Sequence, residues 1–426
     1  MDTVLKSKNG IKGTFTVPGD KSISHRSVML SSLAEGTSHI SGFLTGEDCL
    51  STVSCFKKMG VEIEIDGTNV TVHGKGLNGL TKPTETLDVG NSGTTLRLMT
   101  GILVAQKFES HITGDSSIQK RPMDRVNAPL SLMGASIKGC GGEKLYAPLT
   151  VEGKNLKAIE YTLPVASAQV KSAIILAGLY ADGETTIIEP EATRDHTEIM
   201  LNYLGADIKK DGNKITVKPV KELYAKDITV PGDISSAAYF MAAGAACPSS
   251  DVTITNVGIN PTRTGIITVL ENMGADISIL NERTVCGEKV ADINVKTSKL
   301  KGTVVEGDII PKLIDEIPVI AVIACFADGK TVIKDAQELK VKESNRIKTV
   351  VGELKKFGAD IEETDDGMII NGGKTLKGTV VESHNDHRIA MSMAIAALMA
   401  EGETTIKNSE WVDISFPKYF DILRDF

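Results

Sequence analysis

Aromatic residues are scarce, with Phe, Trp and Tyr making up only 4% of the 426 residues. Basic residues are outnumbered: 47 Lys and Arg stand against 55 Asp and Glu, for a formal net charge of −8. A surface that follows a phosphate backbone and stacks bases needs both in surplus. Nucleic acid is therefore excluded as the main partner. A small local basic site stays compatible with this balance, because net charge does not describe clefts. A long apolar run is also missing. The longest nearly apolar stretch, Ile389–Ala400, is interrupted by Ser392, and a membrane span needs roughly 20 apolar residues. Residues Met1–Lys12 alternate charged and apolar types and show no signal-peptide core. Neither membrane attachment nor export is expected, and the reading is a cytoplasmic protein.

The six cysteines (Cys49, Cys55, Cys140, Cys247, Cys286 and Cys325) form no CxxC pair and no Cys/His cluster with zinc spacing. A reduced compartment fits, with each Cys read as a small buried apolar residue. No metal is expected. A GxSxG elbow is absent. Gly74–Gly79 matches GxGxxG, but Thr81-Lys82-Pro83-Thr84 follows it, where a nucleotide site would need a helix. What remains is ordinary globular composition: 41% hydrophobic residues and 40 glycines, enough for two or three domains.

The strongest positive signal is an internal repeat. A short phrase recurs at Met59-Gly60-Val61-Glu62-Ile63, Met133-Gly134-Ala135-Ser136-Ile137 and Leu204-Gly205-Ala206-Asp207-Ile208. It returns at Met273-Gly274-Ala275-Asp276-Ile277 and Phe357-Gly358-Ala359-Asp360-Ile361. The period is about 70 residues, so the chain holds about six copies. Each phrase reads as a helix end, with glycine in the left-handed position beyond it, followed by a strand. Amphipathic stretches precede it, as in Thr193–Leu204, Thr262–Met273 and Glu343–Phe357. A sixth copy begins at Gly402-Glu403-Thr404-Thr405-Ile406. Earlier in each unit lies a second helix, small and apolar along much of its length and expected to be buried all round. These start near Lys21, Asn91, Ser167, Ile234, Lys312 and Asn385.

A longer echo divides the chain. Thr16-Val17-Pro18-Gly19-Asp20 returns three units later as Thr229-Val230-Pro231-Gly232-Asp233, with Asp20 and Asp233 placed as helix N-caps. The expected organisation is α/β, with residues 19–230 as one three-unit domain and residues 1–18 plus 231–426 as the other. Hinge crossings fall near 17–20 and 229–233.

Polar residues gather where helices begin. The early helices open with Asp20-Lys21-Ser22-Ile23-Ser24-His25-Arg26, Gly90-Asn91-Ser92-Gly93-Thr94-Thr95-Leu96-Arg97, Ser167-Ala168-Gln169-Val170-Lys171-Ser172, Asp315-Glu316 and Asn385-Asp386-His387-Arg388. Free N–H groups and the positive end of the helix dipole suit phosphate or carboxylate there. Ordinary capping would also place Ser, Asn and Asp at these points, but it does not call for Lys21, Arg26 and Arg388. The later helices open with Lys120-Arg121-Pro122-Met123-Asp124-Arg125, Thr193-Arg194-Asp195-His196 and Lys342-Glu343-Ser344-Asn345-Arg346. Lys342 and Arg346 are four apart, which on a helix shares one face, and Glu343 between two cations has its ionised form favoured. Glu343 could then serve as a base.

Taken together and in order, Lys21–Arg26, Gly90–Thr94, Lys120–Met123, Lys342–Arg346 and Asn385–Arg388 resemble the family of 5-enolpyruvylshikimate-3-phosphate synthases. The resemblance covers nearly the whole chain. It implies two domains, each of three βαβαββ units, closing over an active-site cleft. It implies transfer of the enolpyruvyl group of phosphoenolpyruvate to the 5-hydroxyl of shikimate 3-phosphate, with release of phosphate by addition and elimination. No cofactor is implied, and a monomer is. By the same resemblance the catalytic residues are Lys21, Asp315 and Glu343. Shikimate 3-phosphate is contacted by Lys21, Ser22, Arg26, Ser167, Ala168, Gln169, Arg194, Asp315 and Lys342. Phosphoenolpyruvate is contacted by Lys21, Asn91, Gly93, Thr94, Arg121, Gln169, Arg346 and Arg388. Gly93 leaves room for the inhibitor glyphosate, which replaces phosphoenolpyruvate. The chain departs from some members in carrying Ile414 where they have lysine, Ala168 where they have a second serine, and Ser117 where they have arginine. The rival readings are the sister UDP-N-acetylglucosamine enolpyruvyl transferase and a non-catalytic repeat scaffold. The sister enzyme usually has Lys-Asn at Lys21-Ser22 and a loop cysteine at Ser116.

Overall fold

The computed structural model describes residues 1–425. Its chain divides into two compact lobes. The N-terminal lobe comprises Gly19–Val230 with Val285–Glu288, and the C-terminal lobe comprises Met1–Pro18, Pro231–Thr284 and Lys289–Phe426.

Two helices serve each repeat. The earlier, inner helices are α1 (Lys21–Leu33), α3 (Gly93–Leu103), α5 (Ala168–Gly178), α7 (Ile234–Ala246), α9 (Ile317–Phe326) and α11 (His387–Met399). The later, outer helices are α2 (Glu47–Lys58), α4 (Asp124–Leu132), α6 (His196–Tyr203), α8 (Gly265–Asn272), α10 (Arg346–Lys356) and α12 (Tyr419–Asp425). The mixed α/β class and the count of six repeats follow the sequence reading.

Among the described residues the strands form six sheets, and five share one plan. A short leading strand runs parallel to the strand that follows the inner helix, and a hairpin completes the sheet with antiparallel pairing. In the first repeat, Ile228 pairs with Ile40, Ile40 with Val70, and Ile65 with Val70. Alternation puts Val70 and Val72 in the core and leaves Thr71 and His73 on the outer face. The sixth sheet lacks its own hairpin. Thr3–Lys6 from the start of the chain takes that place, antiparallel to Glu403–Lys407. Lys12–Thr16 likewise runs parallel to the strand Asp251–Gly258. These two pairings tie residues 1–18 to the C-terminal lobe.

The recurring phrase closes each outer helix in the same way. Gly60, Gly134, Gly205, Gly274 and Gly358 have φ of 87°, 94°, 99°, 83° and 91°. The residue after each glycine donates back into the helix, as Val61 N to Phe56 O (3.1 Å) and Ala206 N to Leu201 O (2.9 Å). This 6→1 bond satisfies a carbonyl that the helix end leaves open.

The inner helices are buried on nearly all sides. Every residue of α7 from Ile234 to Ala245 is buried, as is every residue of α11 from His387 to Leu398. α9 packs against α7 and α11, and α3 packs against α5. Alanines such as Ala237, Ala238, Ala394 and Ala396 let these helices approach closely. Five of the six are capped by a side chain. Asp20, Ser92, Ser167, Asp233 and Asp386 accept from Ile23, Thr95, Val170, Ser235 and Arg388 N–H groups at 2.8–3.4 Å.

Two expectations are corrected. The fifth inner helix starts at Ile317 and not near Lys312, because Gly307–Lys312 forms a 3-10 turn around Pro311, and Pro318 suits the first turn of a new helix. The cysteines are not uniformly buried either. Cys49, Cys55, Cys247 and Cys325 are buried, but Cys140 is exposed and Cys286 half-buried. Cys140 ends the edge strand Ser136–Cys140, and Cys286 sits in a hairpin turn with φ of 50°.

Gly358 isolates the cost of the left-handed helix end, because a Cβ there would meet no atom within 4 Å. Gly358→Ala should therefore destabilise the C-terminal lobe by about 1–2 kcal/mol through backbone strain alone. Urea unfolding followed by circular dichroism would show a lower midpoint. An unchanged midpoint would mean the glycine is not what closes α10.

Candidate active site

The chemistry-bearing residues sit at the N-termini of the inner helices and in the segments that lead into the outer ones. In open α/β sheets such ends, beyond the carboxyl ends of parallel strands, are the usual ligand sites.

In the N-terminal lobe three groups form. At the start of α1, Lys21 is ion-paired to Asp48 in the first turn of α2, both largely buried. Arg26, one turn on, is 4% exposed. Its Nε donates to Thr197 Oγ1 (2.7 Å), Nη2 to Ser172 Oγ (3.0 Å) and Nη1 to the Ser22 carbonyl (3.0 Å). Burial pulls Arg26 down to about 10, against the attraction of Glu198 and Asp20, so it stays charged at neutral pH. The third group joins α3, α5 and the segment before α4. Arg121 Nη2 donates to Asn91 Oδ1 (3.1 Å), and Asn91 Nδ2 to Asp115 Oδ2 (2.7 Å). Gln169 accepts from Arg97 Nη1 (2.5 Å) and donates to Thr94 Oγ1 (3.0 Å). Gly93 lies between the two arginines. A Cβ there would stand 3.0 Å from Arg97 Nη1 and 3.2 Å from Arg121 Nη1. Ser167 is spent on capping α5, Ala168 opens that helix, and Arg194 precedes α6.

In the C-terminal lobe one guanidinium organises the rest. Arg346 is 1% exposed. It donates to Asp315 Oδ1 (3.1 Å), to Glu343 Oε2 (2.6 Å) and to both oxygens of Asp386 (2.9 and 3.2 Å). Burial opposes its charge, but Asp386, Glu343 and Asp315 outweigh that and hold it above the ordinary guanidinium range. Lys342 Nζ lies 3.8 Å from Asp315 Oδ1. Burial likewise works against the charge of Arg388, while Tyr239, Asp315, Glu316 and Asp233 support it and raise it overall.

One sequence expectation fails here. Lys342 and Arg346 do not share a helix face, because α10 begins only at Arg346, with Asn345 as its cap. Lys342 and Glu343 lie in the preceding loop. They still meet Asp315 and Arg346 through space, which helical spacing did not foretell.

The site contains groups that motif reading passed over. Arg97 lies inside the quoted Gly90–Arg97 segment and Asp386 inside Asn385–Arg388, so both had a signal. Ser172 lies inside the quoted Ser167–Ser172 segment and so had one too, whereas Asp48 and Thr197 had none beyond their helix positions. His25, within the first motif, is buried, with Nδ1 against Thr52 Oγ1 at 2.7 Å. It serves packing and is not presented to a ligand.

Among the described residues one group could hold a metal ion. Glu62, Glu64 and His73 bring ligand atoms within 4.8 Å of one another on an outer sheet face, and none of them is a predicted site residue. Two surface hollows of about 490 and 610 Å³ hold no predicted site residue either. No described helix is long and apolar enough to cross a membrane.

Six α/β repeats in two lobes, with cations and carboxylates concentrated at helix starts, define an enzyme that handles anionic small molecules. The family model for EPSP synthase (3-phosphoshikimate 1-carboxyvinyltransferase) matches residues 5–423, and the chain belongs to that family. The 3-phosphoshikimate 1-carboxyvinyltransferase of Thermoanaerobacter sp. (strain X514) is 61% identical over 426 residues, covering 99% of this chain and 100% of the relative. That of Bacillus thuringiensis subsp. konkukian (strain 97-27) is 57% identical over 422 residues, with 99% and 98% covered. The EPSP synthase structure from Acinetobacter baumannii superposes with a TM-score of 0.90 at 49% identity, covering 100% of this chain and 97% of that one. The enzyme thus carries out enolpyruvyl transfer in the shikimate pathway, and these matches do not favour the sugar-nucleotide enzyme or a scaffold.

Burial holds His25 down to about 3, with Asp48 opposing and Lys21 and Arg26 reinforcing the shift. The folded state keeps the ring neutral, whereas the unfolded chain takes up a proton below about pH 6.5. His25 thus contributes stability above pH 6.5 that is lost as pH falls toward 3. His25→Gln should reduce the loss of stability between pH 7 and pH 5 by about 2 kcal/mol. Paired urea titrations would show equal losses if the ring charges freely in the fold.

Proposed function

We propose that the charged groups of the two lobes divide the enolpyruvyl transfer between them. The N-terminal lobe's set, Lys21, Ser22, Arg26, Ser167, Ala168, Gln169 and Arg194, takes shikimate 3-phosphate, joined by Asp315 and Lys342. Asn91, Gly93, Thr94, Arg121 and Gln169, together with Lys21, Arg346 and Arg388, take phosphoenolpyruvate. Each substrate carries a phosphate and a carboxylate, which planar guanidinium groups bind bidentately.

In the addition step the 5-hydroxyl attacks C2 of phosphoenolpyruvate and gives up its proton, with Asp315 as the base. C3 takes a proton from the Lys21 ammonium, whose N–H bond breaks, and becomes a methyl group. In the elimination step the C2–O bond to phosphate breaks, and Glu343 takes a methyl proton as the double bond re-forms. Lys21 touches both substrates and serves the proton traffic. The observation that carries the assignment is the Arg346 fork, which keeps Asp315 and Glu343 on one buried cation at 3.1 and 2.6 Å. A carboxylate so paired is favoured in its ionised form, ready to accept a proton.

The substrates on this reading are small molecules, the protein is a cytoplasmic monomer, and no cofactor enters. Phosphate release from phosphoenolpyruvate, run with shikimate 3-phosphate or with UDP-N-acetylglucosamine, tests the acceptor. Release is expected only with shikimate 3-phosphate. Lys21→Ala, Asp315→Ala and Glu343→Ala should each lower turnover by about 10²–10⁴-fold, with the circular dichroism spectrum kept. Near-normal turnover in all three would overturn the roles.

A further inference from the structure

Arg26 and Arg346 are both buried guanidinium groups, but their surroundings differ. Arg346 is bonded to three carboxylates. Arg26 is bonded to none among the described residues. Its partners are two hydroxyls and a backbone carbonyl. We propose that Ser172 and Thr197 are positioning residues that aim Arg26 at an anionic group of shikimate 3-phosphate without neutralising its charge. This inference rests on the reading that Arg26 contacts that substrate.

Donor accounting supports it. A guanidinium has five N–H donors in a rigid plane. Thr197 Oγ1 takes the one on Nε, Ser172 Oγ takes one on Nη2, and the Ser22 carbonyl takes one on Nη1. Two donors remain, one on each Nη, which is the end of the fork that grips carboxylate or phosphate. The two hydroxyl oxygens are themselves 2.7 Å apart and hydrogen-bonded. They therefore occupy the Nε–Nη2 edge much as the two oxygens of a carboxylate would, but without its charge. A carboxylate in their place would compete with the ligand for the cation.

The hydroxyls have a rigid backing. The residues next to them in sequence, Lys171 on α5 and Glu198 on α6, form a buried ion pair at 2.7 Å. Glu189 adds a second carboxylate at 3.1 Å from Lys171. The Ser172–Thr197 and Lys171–Glu198 contacts thus staple α5 to α6 side by side. Lys171, and not Arg26, contacts the two buried carboxylates directly, so the hydrogen-bond partners of Arg26 are all neutral while Glu198 and Asp20 support its charge from farther off.

Thr197→Val keeps the side-chain shape and removes the acceptor on Nε. It should raise KM for shikimate 3-phosphate by about tenfold, the cost of one hydrogen bond to a charged group, with KM for phosphoenolpyruvate and kcat within about twofold. Thr197→Ser should restore the wild-type KM. Ser172→Ala should act in the same direction and stands in if the valine variant fails to fold. On an Arg26→Ala background, Thr197→Val should add nothing further, because the group it positions is gone. If Arg26→Ala itself leaves KM for shikimate 3-phosphate unchanged, the reading of Arg26 falls, and the inference with it. If Arg26→Ala raises that KM while both hydroxyl variants leave it unchanged, or change both KM values and kcat alike, the positioning inference alone is overturned.

Discussion

A helix surrounded by protein on every side can present polar chemistry only at its ends, and this constraint shapes the whole molecule. α7 and α11 are buried along almost their full length, and α9 from Ile317 to Cys325. Their bodies are rich in Ala, Ile, Val and Met, which bury area and let helices approach. Their N-termini carry Asp233, Glu316 and Asp386, which satisfy or border the open N–H groups. α1, α3 and α5 are buried in the same way but carry polar residues farther along, among them Arg26, Ser31 and Ser32 in α1 and Lys171 in α5. The repeat thus puts the start of each inner helix after a short strand, with a 3-10 turn intervening before α9, and brings several such starts together in each lobe. Unsatisfied donors and the positive ends of helix dipoles make these starts suitable for anions before any lysine or arginine is added.

The two lobes use their cations differently. In the C-terminal lobe, Arg346 is the hub of a dense ionic cluster. Removing a charged member of such a cluster would leave buried charges uncompensated, the costly situation for ions in a low-dielectric interior. Its arrangement fits carboxylates that have to be held ionised and in place for proton transfer. In the N-terminal lobe, Arg26 leans on two hydroxyls and a backbone carbonyl. Such partners orient a guanidinium and leave its charge for a ligand.

Much of this was legible in the chain. The five glycine phrases announced helix ends that the backbone shows as left-handed glycines. The Pro-Gly-Asp echo placed Asp20 and Asp233 as caps, and both cap their helices. Family resemblance supplied the reaction, which full-length matches support. Local spacing misled where a loop intervened. Lys342 and Arg346 read as one helical face, but the helix starts at Arg346, and the two cations meet through Asp315 instead. The cysteines at Cys140 and Cys286 showed that residue type does not fix burial on an edge strand or in a turn.

The periodic part of the protein can be read along the chain: repeat length, helix ends, caps, and which motifs carry cations. These are local properties, set by backbone conformation and by neighbours a few residues apart. Which distant groups pair is set by the packed fold. Arg26 with Thr197 and Ser172, Lys21 with Asp48, and Arg346 with Asp315 and Asp386 join residues from different helices or repeats. Their energies depend on burial and on ångström-scale distance, and neither is a function of separation along the chain.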